Sequence, residues 1–285
     1  MVQIIEERIN TEPEISLVAY DGGFRERFFQ IDSLEKQTLD SNLIQYIWVE
    51  NFSNPNPKLI EKLQESSLSY KVISLNRQKS YHLGICANTG VKQIESNLVV
   101  ILDADTYLEP NVLEQTLNYH SRNSNSVLYI HRYDEPKPPM LRNSDNIILS
   151  VLQSKCELLN PENYGGFMSV SKDDYIEAKG YDQHESFSGY DSAGALDLKI
   201  RYENVGLSCE WSKDLKIYHI CHKNAFGDNR WNGFRVETQW KMINRRKKRE
   251  IETPVIGYKG RCRELGEWYE EWIGNWDDKS INYVY

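Results

Sequence analysis

The chain has 285 residues, of which 40% are hydrophobic and 12% aromatic, so it can bury a large core. This length fits one large domain or a domain with a substantial appendage, and we favour a single domain of catalytic size. The net charge of -8 argues against a general nucleic-acid binder, because phosphate backbones are held mainly by a surplus of Lys and Arg.

The N-terminal segment 1–7 lacks the basic flank and long apolar run of a signal peptide. No later stretch approaches the roughly 20 apolar residues that span a bilayer. We therefore expect a cytoplasmic protein. The five cysteines are scattered and form no Cys-x-x-Cys pair, so we expect them to be reduced and mostly structural.

In the first half of the chain, short β-rich apolar runs alternate with segments of helical periodicity, which predicts a parallel sheet flanked by helices. The predicted strands are 15–20, 46–50, 71–75 and 98–102, and the predicted crossover helices are 25–37, 58–65 and 83–94. Ligands of such sheets bind at the carboxyl ends of the strands. No Gly-x-Gly-x-x-Gly follows the first predicted strand and no Walker-type Gly-Lys-Ser/Thr occurs, which disfavours dinucleotide and P-loop sites.

The last of these apolar runs ends in two carboxylates separated by one small residue, Asp103-Ala104-Asp105. In extended geometry one carboxylate can reach a divalent cation directly while the other reaches it through water or contacts a ribose. Mn²⁺ or Mg²⁺ prefers such oxygen ligands and would bridge to the oxygens of a diphosphate. The alternative is that both carboxylates cap the helix predicted to begin near Pro110 or are solvated at a strand end.

A proline-rich loop at 134–139 separates the two halves of the chain. Beyond it we predict helices at 172–178 and 197–204, a loop containing Gly and Asp at 180–194 between them, and a strand at 216–219.

Taken in order, these motifs resemble the GT-A glycosyltransferases, particularly family 2 and its galactosyltransferase-like relatives. The resemblance is carried by residues 88–91, 98–105, 165–172, 180–182 and 218–222, and it spans roughly residues 14–224. It implies a GT-A α/β fold with a mostly parallel central sheet flanked by helices. The catalytic domain would cover 1–230, with a donor half at about 14–133 and an acceptor half at about 140–230. A helical, aromatic-rich extension at 231–285 would pack on it.

The resemblance also implies a donor site at the edge of the sheet. Glu50 falls where family members hold the nucleobase with an acidic residue, and Tyr20 could stack on the base. The alternative for both is an ordinary strand end, and Asp21 is a weaker candidate. The predicted donor-binding residues are Tyr20, Glu50, Asn88, Asp103, Ala104 and Asp105.

The cofactor implied by the resemblance is Mn²⁺ or Mg²⁺, with Asp105, Asp103 and His222 as its ligands. A neutral imidazole from His219 or His222 could complete the coordination of the metal. His222 matches the family better, and for His219 we favour a structural role.

An inverting transferase needs a carboxylate that removes the proton of the acceptor hydroxyl. In the resembled family this residue lies in a Trp-Gly-x-Glu-Asp-x-Asp-Leu segment, whose acidic pair is replaced here by Gly194-Ala195. Asp191 could serve after a local insertion and is our leading candidate, or Asp197 could serve from the start of the helix. Both could instead be structural, with Asp197 as a cap or paired with Arg201 at i,i+4.

The C-terminal region contains an amphipathic helix, predicted at 236–249, that ends in five basic residues. These residues could be solvated, contact an acidic partner or lie on an anionic membrane surface. Trp268, Trp272 and Trp276 recur every four residues and so share one helical face. That face could pack on the core or form a platform for an acceptor.

We therefore predict a metal-dependent glycosyltransferase that moves a hexose or N-acetylhexosamine from a nucleotide-diphosphate sugar, expected to be a UDP-sugar. Inversion is implied by the family resemblance alone. Its acceptor would be a saccharide or a lipid-linked molecule, reached by peripheral contact with the inner face of the membrane if the basic segment binds there. The alternative is a sugar-nucleotide-binding protein with weak or lost transferase activity, because Gly194-Ala195 replaces the acidic pair.

Overall fold

The computed structural model describes residues 2–9, 12–23, 25, 27–52, 54–78, 80–137, 141, 147–183, 187–189 and 193–221, together with Gln239 and Ile243. Within these residues no helix is long and apolar enough to cross a membrane. The histidine at 222, the aspartate at 191, the basic run and the three tryptophans of the sequence analysis lie outside the described residues.

The described residues form one sheet with helices on both of its faces. Its strands are β1 (Gln3–Arg8), β2 (Ile15–Asp21), β3 (Ile44–Glu50), β4 (Ser69–Ser74), β5 (Leu98–Asp103), β6 (Thr106–Leu108), β7 (Ser126–Asp134), β8 (Phe167–Ser171) and β9 (Ser208–His219). The helices are α1 (Phe29–Leu34), α2 (Pro57–Glu65), α3 (Leu83–Val91), α4 (Val112–His120), α5 (Leu149–Lys155), α6 (Lys172–Glu177) and α7 (Gly194–Asn204), with a short 3-10 helix at Ser41–Leu43.

The strand order is β1-β4-β3-β2-β5-β8-β7-β9-β6. The predicted parallel arrangement is confirmed for the central run β4-β3-β2-β5, in which every neighbouring pair is parallel. Outside that run the sheet is mixed, because β1, β8 and β6 pair antiparallel to their neighbours while β7 and β9 are parallel. The α/β fold class is therefore confirmed, with a mixed sheet in place of a mostly parallel one.

Alternate residues of the central strands enter two separate cores. On one face, Val18 of β2 packs in a cluster that includes residues of α3, α6 and α7. On the other face, Leu17 and Ala19 pack with residues of α1, α2 and α4. Every residue of β2, β3 and β4 is buried, which explains why these strands are nearly continuous apolar runs in the sequence.

Several boundaries differ from the sequence-based predictions. The helix predicted at 25–37 is limited to Phe29–Leu34, and Arg25 lies outside it, with its backbone N–H donating to Asp21 Oδ2 at 3.3 Å. The strand predicted at 216–219 is the end of the twelve-residue β9. Strand β1 was not predicted at all. It pairs with β4, and the Arg8 guanidinium donates to the carbonyls of Leu63 and Leu68.

Gly90 allows helix α3 to lie directly against strand β2. A Cβ added at this position would overlap Val18 Cγ1 and lie 3.2 Å from Val18 Cγ2. Both residues are fully inside the core, where neither backbone can shift freely. The close approach fixes the distance between α3 and the strand whose end carries Tyr20 and Asp21.

We expect Gly90→Ala to lower the free energy of unfolding by about 1–3 kcal/mol, because overpacking outweighs the better helix propensity of alanine. Urea denaturation measures this loss. The matched double variant Gly90→Ala/Val18→Ala removes the overlapping methyl groups. Its loss of unfolding free energy should therefore be smaller than the sum of the losses of the two single variants. Additive losses would show that the two positions do not interact.

Candidate active site

The ends of β2, β3 and β5 lie side by side at one edge of the sheet. In the strand register Tyr20 is the partner of Asp103, and Asp21 is the partner of Glu50. Parallel neighbours end at the same edge, so the predicted donor-binding residues of three strands are brought together. Tyr20 is 4% exposed and Glu50 is 1% exposed, so both side chains are buried at this edge of the sheet.

A buried glutamine holds the turn that contains the carboxylate triplet. Asp103 is the last residue of β5, and Ala104 and Asp105 form the turn into β6. Gln30 Nε2, from α1, donates to Asp103 O and to Thr106 Oγ1, both at 2.8 Å. The Thr106 hydroxyl in turn donates to Asp103 O at 2.8 Å. The triplet therefore bends away from the extended geometry expected from the sequence, and the side chain of Ala104 is buried in the core.

Arg25 joins the end of β2 to the turn after β5. Its Nη1 lies 2.6 Å from Asp21 Oδ1, and its Nη2 lies 2.9 Å from Asp105 Oδ2. All three side chains are almost completely buried. Since a guanidinium is always charged in proteins, Arg25 offsets the charge of both carboxylates. The sequence analysis did not identify this residue.

A second arginine and a histidine hold the opposite side of the triplet. Arg132 Nη1 lies 2.6 Å from Asp103 Oδ2, and its Nη2 lies 2.9 Å from Asp134 Oδ1. His219 Nδ1 lies 2.8 Å from Asp134 Oδ1, and Nε2 lies 3.4 Å from Asp105 Oδ2. His219 reaches this position because β9 ends between β6 and β7. The structure thus places at the triplet a histidine for which the sequence favoured a structural role.

The side chains of this cluster shift one another's pKa values. Burial opposes the charged form of His219, but the carboxylates of Asp105 and Asp134 raise its pKa to about 9. Burial raises the pKa of Asp103, while the nearby Arg132 guanidinium lowers it. Around the triplet four carboxylates face two guanidiniums and an imidazole that its neighbours hold in the charged form. The edge is therefore close to charge balance without a ligand.

The chemistry of this cluster fits a hard divalent cation, because carboxylate oxygens and an imidazole nitrogen are ligands that Mn²⁺ and Mg²⁺ accept. Within the described part of the chain, however, no three His, Cys, Asp or Glu side chains are already arranged to hold a metal ion. Asp103 and Asp105 each have an oxygen on a guanidinium. A cation that binds both residues therefore competes with these guanidiniums for the charge of the carboxylates.

Glu50, at the predicted nucleobase site, favours its neutral, protonated form. Burial, reinforced by the charge of Asp21, raises its pKa to about 9. Its Oε1 and the Nδ2 of the adjacent Asn51 have no hydrogen-bond partner among the described residues, although both atoms are buried. Unsatisfied buried polar atoms are costly and uncommon, so this pair is suited to a ligand that supplies the missing bonds.

The Asn88 side chain makes three hydrogen bonds to Tyr175 and Tyr181 inside the core. Its Oδ1 accepts from Tyr175 Oη at 2.7 Å and from Tyr181 N at 3.0 Å, while its Nδ2 donates to Tyr181 O at 2.8 Å. The side chain is fully buried. A contact between this amide and a donor would require breaking these bonds, so the structure offers a packing role for the residue that the family resemblance assigned to donor binding.

Of the two predicted catalytic carboxylates, only Asp197 lies within the described residues. It is 2% exposed, and its Oδ2 lies 3.0 Å from Arg201 Nε in the next turn of α7. This is the i,i+4 pair that the sequence analysis gave as the structural alternative. Asp191, the leading candidate from the sequence, lies outside the described residues and stays a prediction.

The start of α7 lies close to the triplet. A Cβ added at Gly165 would lie 3.7 Å from Ala195 Cβ, and the next residue, Gly166, accepts at its carbonyl from Asp103 N at 3.4 Å. The position where the family has an acidic pair is thus near the triplet but carries an apolar methyl group. Gln239, of the C-terminal region, accepts from Ala193 N at 2.6 Å and is buried.

Comparisons with known proteins agree with this architecture. Residues 30–177, more than half of the chain, match the model of the family described as glycosyl transferase family 2. A crystal structure of S. aureus TarS 1–349 with UDP-GlcNAc is 15% identical, with a TM-score of 0.62, and the match covers 95% of this chain and 76% of that chain. The same TarS fragment with UDP is 14% identical, with a TM-score of 0.59, and the match covers 95% and 75%.

A longer TarS structure is 15% identical, with a TM-score of 0.60, and the match covers 86% of this chain. The match spans only 40% of that longer TarS chain. No curated protein matches the sequence. At these identities the solved structures show a shared fold, which is the GT-A fold expected from the sequence.

Glu50→Gln should remove a pH dependence of stability. The pKa of Glu50 in the folded protein, about 9, lies above its ordinary value of 4.5. The protonated side chain therefore contributes fully to the stability of the fold below about pH 4.5, and this contribution is lost as the pH rises through about 9. The amide stays neutral throughout. The difference in the free energy of unfolding between the variant and the wild type should therefore rise, in favour of the variant, by about 1 kcal/mol per pH unit from about pH 6 to about pH 9.

Urea denaturation at several pH values measures this trend. Glu203→Gln, at an exposed position of α7, is the charge-matched control. Parallel pH profiles for the wild type and Glu50→Gln would contradict a protonated Glu50.

Proposed function

The chain belongs to glycosyl transferase family 2 and is thus a glycosyltransferase, and on this premise we propose that its donor is a uridine diphosphate sugar. We further propose that it moves a hexose or N-acetylhexosamine, with inversion, onto a saccharide or lipid-linked acceptor. The proposed place of action is the cytoplasm, with peripheral membrane contact through the basic segment near the C-terminus.

The observation that carries this proposal is the common strand edge formed by β3, β2 and β5. Glu50 at the end of β3 and the triplet after β5 lie on either side of the end of β2. This spacing suits a ligand with a base at one end and a diphosphate at the other. In the family resemblance the acidic residue holds the nucleobase, and the triplet binds the divalent cation that bridges to the diphosphate.

The choice of uridine rests on Glu50. A neutral carboxyl group has one donor and one acceptor, which complement the carbonyl and N–H at the edge of uracil. The unsatisfied Nδ2 of Asn51 adds a donor beside it. The solved TarS structures with UDP and UDP-GlcNAc support a uridine-linked donor for the shared fold.

The proposed cofactor is Mn²⁺ or Mg²⁺, held by Asp105 and Asp103 with an imidazole from His222 or His219. When bound, the cation supplies positive charge that stabilises the departing diphosphate. The remaining work belongs to the protein: Gln30 fixes the triplet turn, and Asp191 would remove the proton from the acceptor hydroxyl.

A second function is favoured by one observation, the apolar Ala195 next to Gly165 at the position of the family's acidic pair. A protein that keeps the donor edge but lacks an effective base would bind sugar nucleotides and transfer sugar weakly.

Asp105→Asn should abolish the part of UDP affinity that depends on Mn²⁺. We expect the wild type to bind UDP at least about tenfold more tightly with Mn²⁺ than without it, and the variant to lose this difference, because Asn is a poorer ligand for a hard cation. Calorimetry measures both affinities, and exposed Asp173→Asn serves as the control. Binding that does not depend on the metal in the wild type would rule out the proposed cofactor.

Asp191→Asn should lower the turnover of UDP-N-acetylglucosamine by a factor of about 10² to 10⁴ while leaving UDP affinity unchanged, because it removes a base and no donor contact. Release of UDP, with and without candidate saccharide acceptors, is the measurement. Asp197→Asn is the comparison variant, and it should mainly reduce stability, since it leaves the buried Arg201 without this carboxylate. Unchanged turnover in Asp191→Asn would exclude that residue. Donor binding without turnover in the wild type would favour the binding protein.

A further inference from the structure

Arg25 lies on the path that a donor has to follow. Strand β2 is between β3 and β5 in the sheet, and Arg25 follows the end of β2. A ligand with its base at Glu50 and its diphosphate at Asp105 must cross the end of β2. The Arg25 guanidinium already contacts Asp105, so it lies at the diphosphate end of that path.

The hydrogen bonds of Arg25 divide into an anchor and an exchangeable contact. Nη1 donates to Asp21 Oδ1 at 2.6 Å and to Tyr20 O at 3.3 Å, and these two acceptors belong to β2 itself. Nη2 donates to Asp105 Oδ2 at 2.9 Å, across to another strand. A phosphate oxygen can take the place of Asp105 at Nη2 while the bonds to β2 remain. Guanidinium groups suit phosphate oxygens in both geometry and charge.

The exchange of Arg25 from Asp105 to the diphosphate also reduces the electrostatic repulsion between the donor and the carboxylates. A diphosphate placed beside Asp21 and Asp105 would be repelled strongly in this buried setting unless cations lie between them. Arg25 is the buried cation that contacts both carboxylates. When Arg25 turns to the diphosphate, Asp105 loses its guanidinium contact and keeps the His219 imidazole 3.4 Å away, so the charge of this buried carboxylate is less well compensated. A divalent cation at Asp105 then restores the balance.

We propose that Arg25 binds the diphosphate of the donor and in doing so releases Asp105 for the divalent cation. This inference rests on the proposed function, since it requires a nucleotide diphosphate at this edge. It follows that donor and cation bind with positive coupling, because each removes an obstacle to the other, and this coupling is reciprocal. Arg25 also supplies a fixed positive charge to the leaving group.

Arg132 provides a matched comparison inside the same site. It also pairs with a carboxylate of the triplet and with a second carboxylate, Asp103 and Asp134 respectively. It comes from β7, however, which is separated from β3 by β2, β5 and β8 in the strand order. Loss of Arg132 therefore changes the charge of the cluster by the same amount on the side away from the base.

The test compares uridine with uridine diphosphate as calorimetric ligands in the presence of a chelator. Arg25→Met should weaken UDP binding by at least about tenfold, as expected for a lost charged hydrogen bond, and leave uridine binding within about twofold of the wild type. Arg132→Met should weaken UDP binding less than Arg25→Met does. Exposed Arg122→Gln should change neither.

A second readout uses Mn²⁺ alone, followed by electron paramagnetic resonance. Without nucleotide, Arg25→Met should bind Mn²⁺ more tightly than the wild type by several-fold, because Asp105 is no longer paired with the guanidinium. Unchanged UDP affinity, a parallel loss of uridine affinity, or an equal loss in Arg132→Met would each overturn the role of Arg25.

Thermal melting checks that every variant is folded. Arg25→Lys is the second variant: it keeps the charge but loses the planar fork, so its loss of UDP affinity should be smaller and still absent for uridine. If the wild type binds neither uridine nor UDP even when Mn²⁺ is present, the proposed function fails and the inference fails with it. If the wild type binds both and the Arg25 variants keep UDP affinity, only the inference fails.

Discussion

Compensation of negative charge at one edge of the sheet is the constraint on which the rest of the site depends. Four carboxylates meet there because parallel strands end together and β7 and β9 reach the same edge. Leaving them buried without cations would cost several kcal/mol for each unpaired group. Each cation contacts two of them, so each also ties two parts of the fold together. The contacts run in the order Asp21, Arg25, Asp105, His219, Asp134, Arg132 and Asp103.

Strands that carry the carboxylates are held by a buried polar contact on one face of the sheet and by close packing on the other. The turn of the triplet is held by the buried amide of Gln30, which accepts from Tyr46 Oη at 2.7 Å while it donates to Asp103 and Thr106. On the other face, Gly90 lets α3 lie against β2. The triplet turn is therefore held from one face of the sheet, while the position of α3 against β2 is set on the other face.

The sequence was sufficient for the parts of the fold that have local patterns. The runs at 15–20, 46–50 and 98–102 are buried on both faces, so their apolar character predicted β2, β3 and β5, and the triplet followed from the last of them. The arginines could not be found in this way, because Arg25 meets Asp105 only through the pairing of β2 with β5. His219 was underestimated for the same reason, since its neighbours come from β6 and β7. Strand β1 was missed because its residues are mostly exposed or half-buried.

The two halves of the site therefore differ in how far their chemistry is defined. On the donor side, the residues that we propose for nucleobase, diphosphate and cation, namely Glu50, Arg25 and Asp105, all lie within the described residues. On the acceptor side, the start of α7 presents Ala195 where the family has an acid, and Asp197 is committed to Arg201. The base that we propose, Asp191, precedes α7 in the sequence, and Ala193, the N-cap residue of that helix, donates its backbone N–H to Gln239 Oε1. Because this contact lies at the N-cap of α7 and not at the strand edge of the donor site, we expect its loss to disturb turnover before it disturbs donor binding.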